Sequence, residues 1–466
     1  MRRVGQGVVQ VEHGDGALVA VSHISHPKGA LKGPRTRQPP RVGRPLLCDT
    51  AGRRRREAPM YDSVSGVRRT AKWTAVAVGA ALVAVLGTAG EASAATTLVV
   101  AADGNDSAPG TVDRPLRTIQ RAVDLAGPGD TIAVRGGTYA LTDNITISTS
   151  GTAAQPITLG AYQGERVVVD GEGLPASHTP VGGSIPRAER GAVHMEASHW
   201  RISGLEIVRG PYGIYCDGCD GNVFSRLSTH DNYESGFQLQ GSSSDNQILN
   251  LDSYGNRDPR KNGESADGLA VKEGSGTGNV VRGARLWNNV DDGFDAWKFT
   301  SPILIENTIS YGNGFNRWNF PDFAGDGNGF KMGGGSPAPA VGHMLRNTIA
   351  FRNAAHGVTD NGNPGPLKLT RNTTWANART GFDADTAGGA ASLTVNLSVA
   401  DARAAAVGAG TVSSGNSWDL GGTWDASSVL STDPEPLTGP RTADGSLPSA
   451  RSFLVPRGGA DIGARF

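Results

Sequence analysis

The sequence predicts an all-β solenoid of stacked parallel strands with a short capping helix at its N-terminal end. Three observations carry this. Glycine is frequent, 66 of 466 residues, while helical periodicity is nearly absent. From about residue 195, similar corners recur in "YGIYCD", "SGFQLQ", "DGLAVK", "DGFDAW", "NGFKMG", "HGVTDN" and "TGFDAD", with glycines at 213, 236, 268, 293, 329, 357 and 381. Ahead of most of these corners runs a β-branched segment closed by an asparagine, as in "NVFSRLSTHDN" and "NVVRGARLWNN". The glycine steps are 23, 32, 25, 36, 28 and 24 residues, a floor near 24 with insertions. A propeller blade needs roughly 40–45 residues. A shorter repeat without helices is a coil whose rungs bury their apolar side only by stacking, each strand pairing in parallel with the next. The recurring Asn is expected to stack as a ladder. The corner glycines are expected to supply a positive φ.

The elements follow in order. Residues 1–59 are rich in Arg, Pro and Gly and show no apolar period; they read as an upstream extension, with Met60 the expected initiator or a long signal extension as the alternative. Residues 60–94 read as a secretion signal: Arg68, Arg69 and Lys72 precede an apolar run, and Ala92-Ser93-Ala94 offers a cleavage site. That run is short for a membrane span, and no later segment reads as one. A secreted, extracellular chain of residues 95–466 forming one elongated domain is therefore expected. "PLRTIQRAVDLA", 115–126, has apolar residues at helical spacing and is placed as the cap on the first rung. "TIAVRGGTY" alternates as a strand. The Pro-rich tail after "STDPEP" loses the repeat and is expected over the far end of the coil.

The formal net charge of zero conceals a division. Residues 95–466 carry 38 acidic and 29 basic side chains. That balance disfavours nucleic acid as a partner, and no membrane partner is indicated. A monomer is the default expectation. Cys216 and Cys219, in "CDGC", are expected to pair as a small-loop disulfide outside the cell; zinc would need further soft ligands, and no second Cys pair exists.

Chemistry concentrates in "NNVDDGFDAWK", 288–298, where Asp291, Asp292 and Asp295 fall within five positions. One rung earlier, "ADGLAVK" supplies Asp267, 24 residues before Asp291. Stacking should bring the four carboxylates within about one strand spacing, roughly 4.8 Å. Such a group is a solvated acidic corner or a cation site. An all-oxygen carboxylate set suits Ca²⁺ better than Mg²⁺, which keeps more water, or Zn²⁺, which prefers His and Cys. Lys331, in "GDGNGFKMGGG", follows Gly329 by two positions as Asp295 follows Gly293. It should stand one rung from Asp295, either as an ion-pair partner of Asp295 or Asp326 or as a base whose pKa is lowered by nearby positive charge and burial. Lys272, Lys298 and Arg317 are candidate contacts for an anionic ligand, and Trp297 and Trp318 candidate stacking surfaces; each has an ordinary surface or packing role as its alternative.

The ordered set "ADG", "NNxDDGxD" and "NGFK" resembles the family 9 polysaccharide lyases, pectate lyases on a right-handed parallel β-helix. The similarity runs from "ADGNDSAPGT" to about residue 385. It implies that Asp267, Asp291, Asp292 and Asp295 hold Ca²⁺ and that Lys331 is the base. It further implies β-elimination on polygalacturonate, or a related acidic plant polysaccharide; a lysine base, titrating near 10.4 when free, then predicts an alkaline optimum. Leu269 stands where Phe is expected and is read as a change in the floor of the site. Two rivals remain: a metal-free polygalacturonase-type hydrolase working through paired aspartates, suggested by "DDGFD" and "AHG", and a non-catalytic carbohydrate-binding β-helix.

Overall fold

A computed structural model describes residues 94–388 and 391–466. The extension and nearly all of the signal segment lie outside these residues. Three parallel sheets run the length of the coil, of twelve, ten and ten strands. The first begins at Thr97–Val100 and ends at Val412–Ser414; the second runs from Ile145–Ile147 to Arg403–Val407; the third from Gly137–Ala140 to Leu397–Val399. Every ladder between these strands is parallel. Alternate side chains fill one continuous apolar interior from Leu98 to Leu393. No helix among the described residues is long and apolar enough to cross a membrane.

The seven aligned glycines mark seven consecutive rungs of the second sheet, labelled here β1 (Ile214–Asp217), β2 (Phe237–Ser242), β3 (Leu269–Ser275), β4 (Phe294–Asp295), β5 (Phe330–Lys331), β6 (Val358–Thr359) and β7 (Thr380–Ala384). Ile214, Phe237, Leu269, Phe294, Phe330, Val358 and Phe382 stack in strict register. Their glycines do not adopt the positive φ expected of them. Close approach requires them instead. A Cβ on Gly293 would meet Ser310 Oγ at 1.9 Å and the Gly329 carbonyl at 2.7 Å.

The segments ahead of the glycines hold two short strands rather than one, so each turn carries three. In "NVFSRLSTHDN" these are Val223–Ser225 and Ser228–His230. A single left-handed residue, Arg226, divides them, and Asn250, Gly283, Asn307, Asn347 and Arg371 repeat the bend on later turns. The buried positions are 222 and 224, then 227 and 229, so the bend appears in sequence only as a one-residue slip in the alternation. "TIAVRGGTY" divides likewise, into Thr131–Val134 and Gly137–Ala140 in different sheets.

The Asn ladder forms as expected. Asn232, Asn256, Asn289, Asn313, Asn353 and Asn377 are buried, and each Oδ1 accepts both the backbone and the side-chain amide of the preceding Asn where there is one. Asp401 ends the column by accepting from Asn377. The capping helix α1 is shorter than expected, Ile119–Leu125, because Thr118 caps it and Leu116 is taken into a bridge with Val100. Its buried Ile119, Ala122 and Val123 close the interior. The tail departs from expectation. Rather than only covering the far end, it returns along the third sheet, where Phe453 packs edge-on against Phe351 and Trp375, and Arg441 reaches back to Asp252. The coil's end is covered by the short helix Ser417–Leu420. Cys216 and Cys219 form the expected disulfide.

Candidate active site

The residues immediately before the corner glycines form a column: Ser235, Asp267, Asp292, Asn328 and His356. The amide of each following glycine donates to the carbonyl of the next member of the column. Asp267 therefore stacks on Asp292, with Asp291 beside it over Ala266, so Asp267 meets the acidic pair as expected. Carboxylate oxygens of Asp267, Asp291 and Asp292 lie within 4.8 Å of one another, and all three residues are buried.

The neutral members of the column satisfy the outer oxygens. Asn328 donates to Asp292 Oδ1 from its backbone (2.6 Å) and its side chain (2.9 Å). Ser235 Oγ donates to Asp267 Oδ2 at 3.3 Å. The two remaining oxygens, Asp267 Oδ1 and Asp292 Oδ2, are buried without a hydrogen bond. Asp292 Oδ2 does lie 3.0 Å from Lys331 Nζ, an ion pair that lacks hydrogen-bond geometry. Buried carboxylate oxygens without donors are costly.

The electrostatics register that cost. Burial, followed by the neighbouring carboxylates, pushes Asp267 up to about 7 despite Lys272, and Asp292 up to about 6 despite Lys331. Asp291 is pushed well above the carboxylate range by burial and by Asp292 and Asp267. An all-oxygen set of three buried carboxylates with unpaired oxygens fits a hard divalent cation.

Asp295 stands apart from the trio. Its Oδ1 accepts the Trp297 amide at 2.9 Å and its Oδ2 faces Lys272 Nζ at 3.3 Å. Lys331 is directly above it in register, as expected. Lys331 Nζ reaches Asp326 at 2.8 Å and Asp292 at 3.0 Å. The Asp326 contact is one of the ion pairs that the sequence offers as the alternative to a base. Burial acts to lower the lysine pKa, but Asp292, Asp295, Asp291 and Asp326 outweigh it and hold the ammonium protonated well above its ordinary range. Lys272 is held the same way by Asp267 and Asp295.

These groups face a polar cleft of about 660 Å³. Lys272, Lys331, Asp291, Asp295 and Trp297 line it. Lys298 does not; it is exposed and lies over the outer Trp297 ring, 4.0 Å from its centroid. Arg317 lies outside the cleft, donating to Asn288 Oδ1 and the Gly312 carbonyl, and Trp318 stacks on Phe320. Leu269 is wholly buried between Phe237 and Phe294, so it belongs to the interior rather than to the floor of the site.

Sequence reasoning missed Arg190, Arg260 and Lys261, which also line the cleft. Arg260 and Lys261 sit in the insertion that lengthens one glycine step to 32 residues, a signal present in the spacing. Arg260 is tied to the buried Glu234 and to the Gly183 carbonyl.

The model of the Pel9A-like right-handed β-helix region matches residues 98–394. The chain is 50% identical over 390 residues to pectate lyase PEL9 of Emericella nidulans, covering 79% of this chain and 94% of that protein. It is 33% identical over 374 residues to pectate lyase L of Dickeya dadantii, covering 76% and 83%. Among solved structures, pectate lyase Pel9A superposes with a TM-score of 0.67 at 30% identity, covering 78% of this chain and 90% of that one. A rhamnogalacturonan lyase superposes at 0.65 and 26% identity, covering 77% and 96%. With the coil, the carboxylate column and the lysine in register beside it, these matches show that the chain belongs to the Pel9A-like right-handed β-helix family.

Proposed function

We propose that this polysaccharide lyase is a secreted, calcium-dependent pectate lyase that cleaves α-1,4-polygalacturonate by β-elimination, with Lys331 as the base. The observation that carries the reading is the seam between β3 and β4. There the unpaired oxygens of Asp267 and Asp292 lie beside a lysine whose only polar partners among the described residues are carboxylates. The names of the relatives supply the substrate class.

Asp267, Asp291 and Asp292 would hold the ion, with Asp295 one side chain away. Bound there, Ca²⁺ would neutralise the uronate carboxylate beside C5 and offset the carboxylate charge that keeps Lys331 protonated. Lys331 Nζ takes the C5 proton once it is a free amine. The electron pair left at C5 forms the C4–C5 double bond as the C4–O4 bond breaks, and the leaving oxygen takes a proton from water. Lys272, anchored by Asp267 and Asp295, holds a fixed positive charge on the cleft wall, where it faces the polyanion. Asn328 and Ser235 keep the Asp292 and Asp267 carboxylates oriented through the hydrogen bonds already described.

The test is the ultraviolet absorbance of the unsaturated product on polygalacturonate at alkaline pH, with Ca²⁺ and then with EGTA. A rise abolished by EGTA supports the proposal. A rise that survives EGTA removes the calcium requirement. No rise on polygalacturonate, with a rise on rhamnogalacturonan, moves the substrate.

A further inference from the structure

Arg190 is the one cleft arginine not tied to a carboxylate. Among the described residues no Asp or Glu oxygen lies within 4 Å of its guanidinium, whereas Arg260 is committed to Glu234. Arg190 is half-buried. Its Nη1 donates to Tyr215 Oη at 3.1 Å, its Nε donates to the Ile185 carbonyl at 3.4 Å, and its guanidinium lies 5.4 Å from the Tyr215 ring centroid. Tyr215 Oη is in turn fixed against Gln240 Oε1 at 3.0 Å. An aimed, half-buried guanidinium facing an open polar cleft leaves donors for a carboxylate from outside the protein.

Its position is built by two insertions that hold each other. The loop between residues 171 and 192 meets the loop between 257 and 265. There the Gly182 amide donates to the Arg260 carbonyl, and Arg260 Nη1 donates to the Gly183 carbonyl, both at 2.9 Å. Arg260 is thus the strut and Arg190 the free charge. Tyr215, which holds Arg190, stands on β1, in register with Gln238, Ala270 and Asp295 on the next three rungs. At one strand spacing per rung, Arg190 lies roughly 10–14 Å along the coil from the carboxylate cluster. That places it beyond the sugar whose bond is cut.

We infer that Arg190 is a remote subsite that binds the carboxylate of a uronate residue distant from the scissile bond, making the enzyme favour long acidic chains over short ones. This rests on the proposed function. Binding energy collected remotely acts on how substrate is held rather than on the proton transfer itself.

The experiment compares wild type with Arg190→Ala and Arg190→Lys on polygalacturonate and on the shortest galacturonate oligomer that is turned over. Arg190→Ala is expected to raise KM on the polymer about tenfold, the loss of one charge-assisted contact, with kcat changed far less. The penalty should shrink on the short oligomer, and Arg190→Lys should recover part of it. An equal penalty on polymer and oligomer, or none on either, overturns the inference. A second readout needs no turnover: migration of the Lys331→Ala chain in gels cast with polygalacturonate. The polymer should retard that chain, and adding Arg190→Ala should relieve the retardation; unchanged retardation also overturns the subsite. A wild-type chain that is retarded but forms no unsaturated product would refute the proposed function while leaving the subsite standing.

Discussion

His343 should make the coil sensitive to acid. It precedes Met344 in the first sheet, in the column where Ile303 stands one rung before and Leu367 one rung after. It is completely buried, and neither ring nitrogen has a hydrogen-bond partner. Burial alone lowers its pKa from 6.5 to about 4. The unfolded chain therefore takes up the proton first as pH falls. The stability tied to the neutral ring is intact above about pH 6.5 and is lost as pH falls towards 4. A shift of this size corresponds to about 3 kcal/mol at about 1.4 kcal/mol per unit. The buried carboxylates with raised pKa values act in the opposite sense over part of this range, so the comparison must be a difference of differences. Urea unfolding of wild type and His343→Leu at pH 7.5 and 4.5 provides it. Leu matches the flanking Ile303 and Leu367 and removes two unpaired nitrogens, so the variant should match or exceed wild type at pH 7.5. At pH 4.5 its advantage should grow by about 2–3 kcal/mol. An advantage that is the same at both pH values would refute the reasoning.

Three further outcomes are expected. Asn313→Ala removes the acceptor of two Asn289 amides and the donor to Asn353, Leu286 and Ser310; the orphaned groups should cost about 3–5 kcal/mol in chemical unfolding. Asp292→Asn should abolish the rise in Tm produced by Ca²⁺, while Lys331→Ala should keep that rise and lower turnover about 10²–10⁴-fold. Because the base must be a neutral amine, and the surrounding carboxylates hold Lys331 protonated beyond the ordinary lysine range, turnover should increase with pH through the alkaline range. A maximum near pH 5 would exclude Lys331.

Much of the coil was legible because stacking copies sequence period into space. The glycine column, the Asn ladder and the register of Lys331 over Asp295 follow from spacing alone. What was not legible arises from contacts that leave no period. The bend at Arg226 is one residue in a left-handed conformation, marked in sequence only by a one-residue slip in the alternation. The return of the tail along the third sheet depends on Phe453 finding Phe351 and Trp375, 102 and 78 residues away. Leu269 looked like a site residue because the resemblance led to the expectation of Phe there, yet strand alternation turns it into the interior. Lys331 shows a related limit: spacing places Asp295 beside it and allows the pair with Asp326, but does not show that Asp292 also faces the amine.

The two longest steps in the repeat explain why the cleft lies where it does. Both insertions enter at the corner between an Asn-ladder residue and the following strand of the second sheet. One follows Asn256 and supplies Arg260 and Lys261; the other follows Asn313 and supplies Ala324 and Asp326. Between them, the corner from Asn289 to Gly293 has no insertion, and it is the corner that carries Asp291 and Asp292. An uninserted corner keeps its carboxylates in rung geometry, while longer corners on either side rise into walls. The ladder makes this possible. Asn256, Asn289, Asn313 and Asn353 hold the coil in register through both insertions, so loops of different length do not displace Asp267 from Asp292. The fold thereby separates a rigid, charge-crowded column, whose oxygens are placed by repetition, from variable walls, whose cations are placed by departure from it.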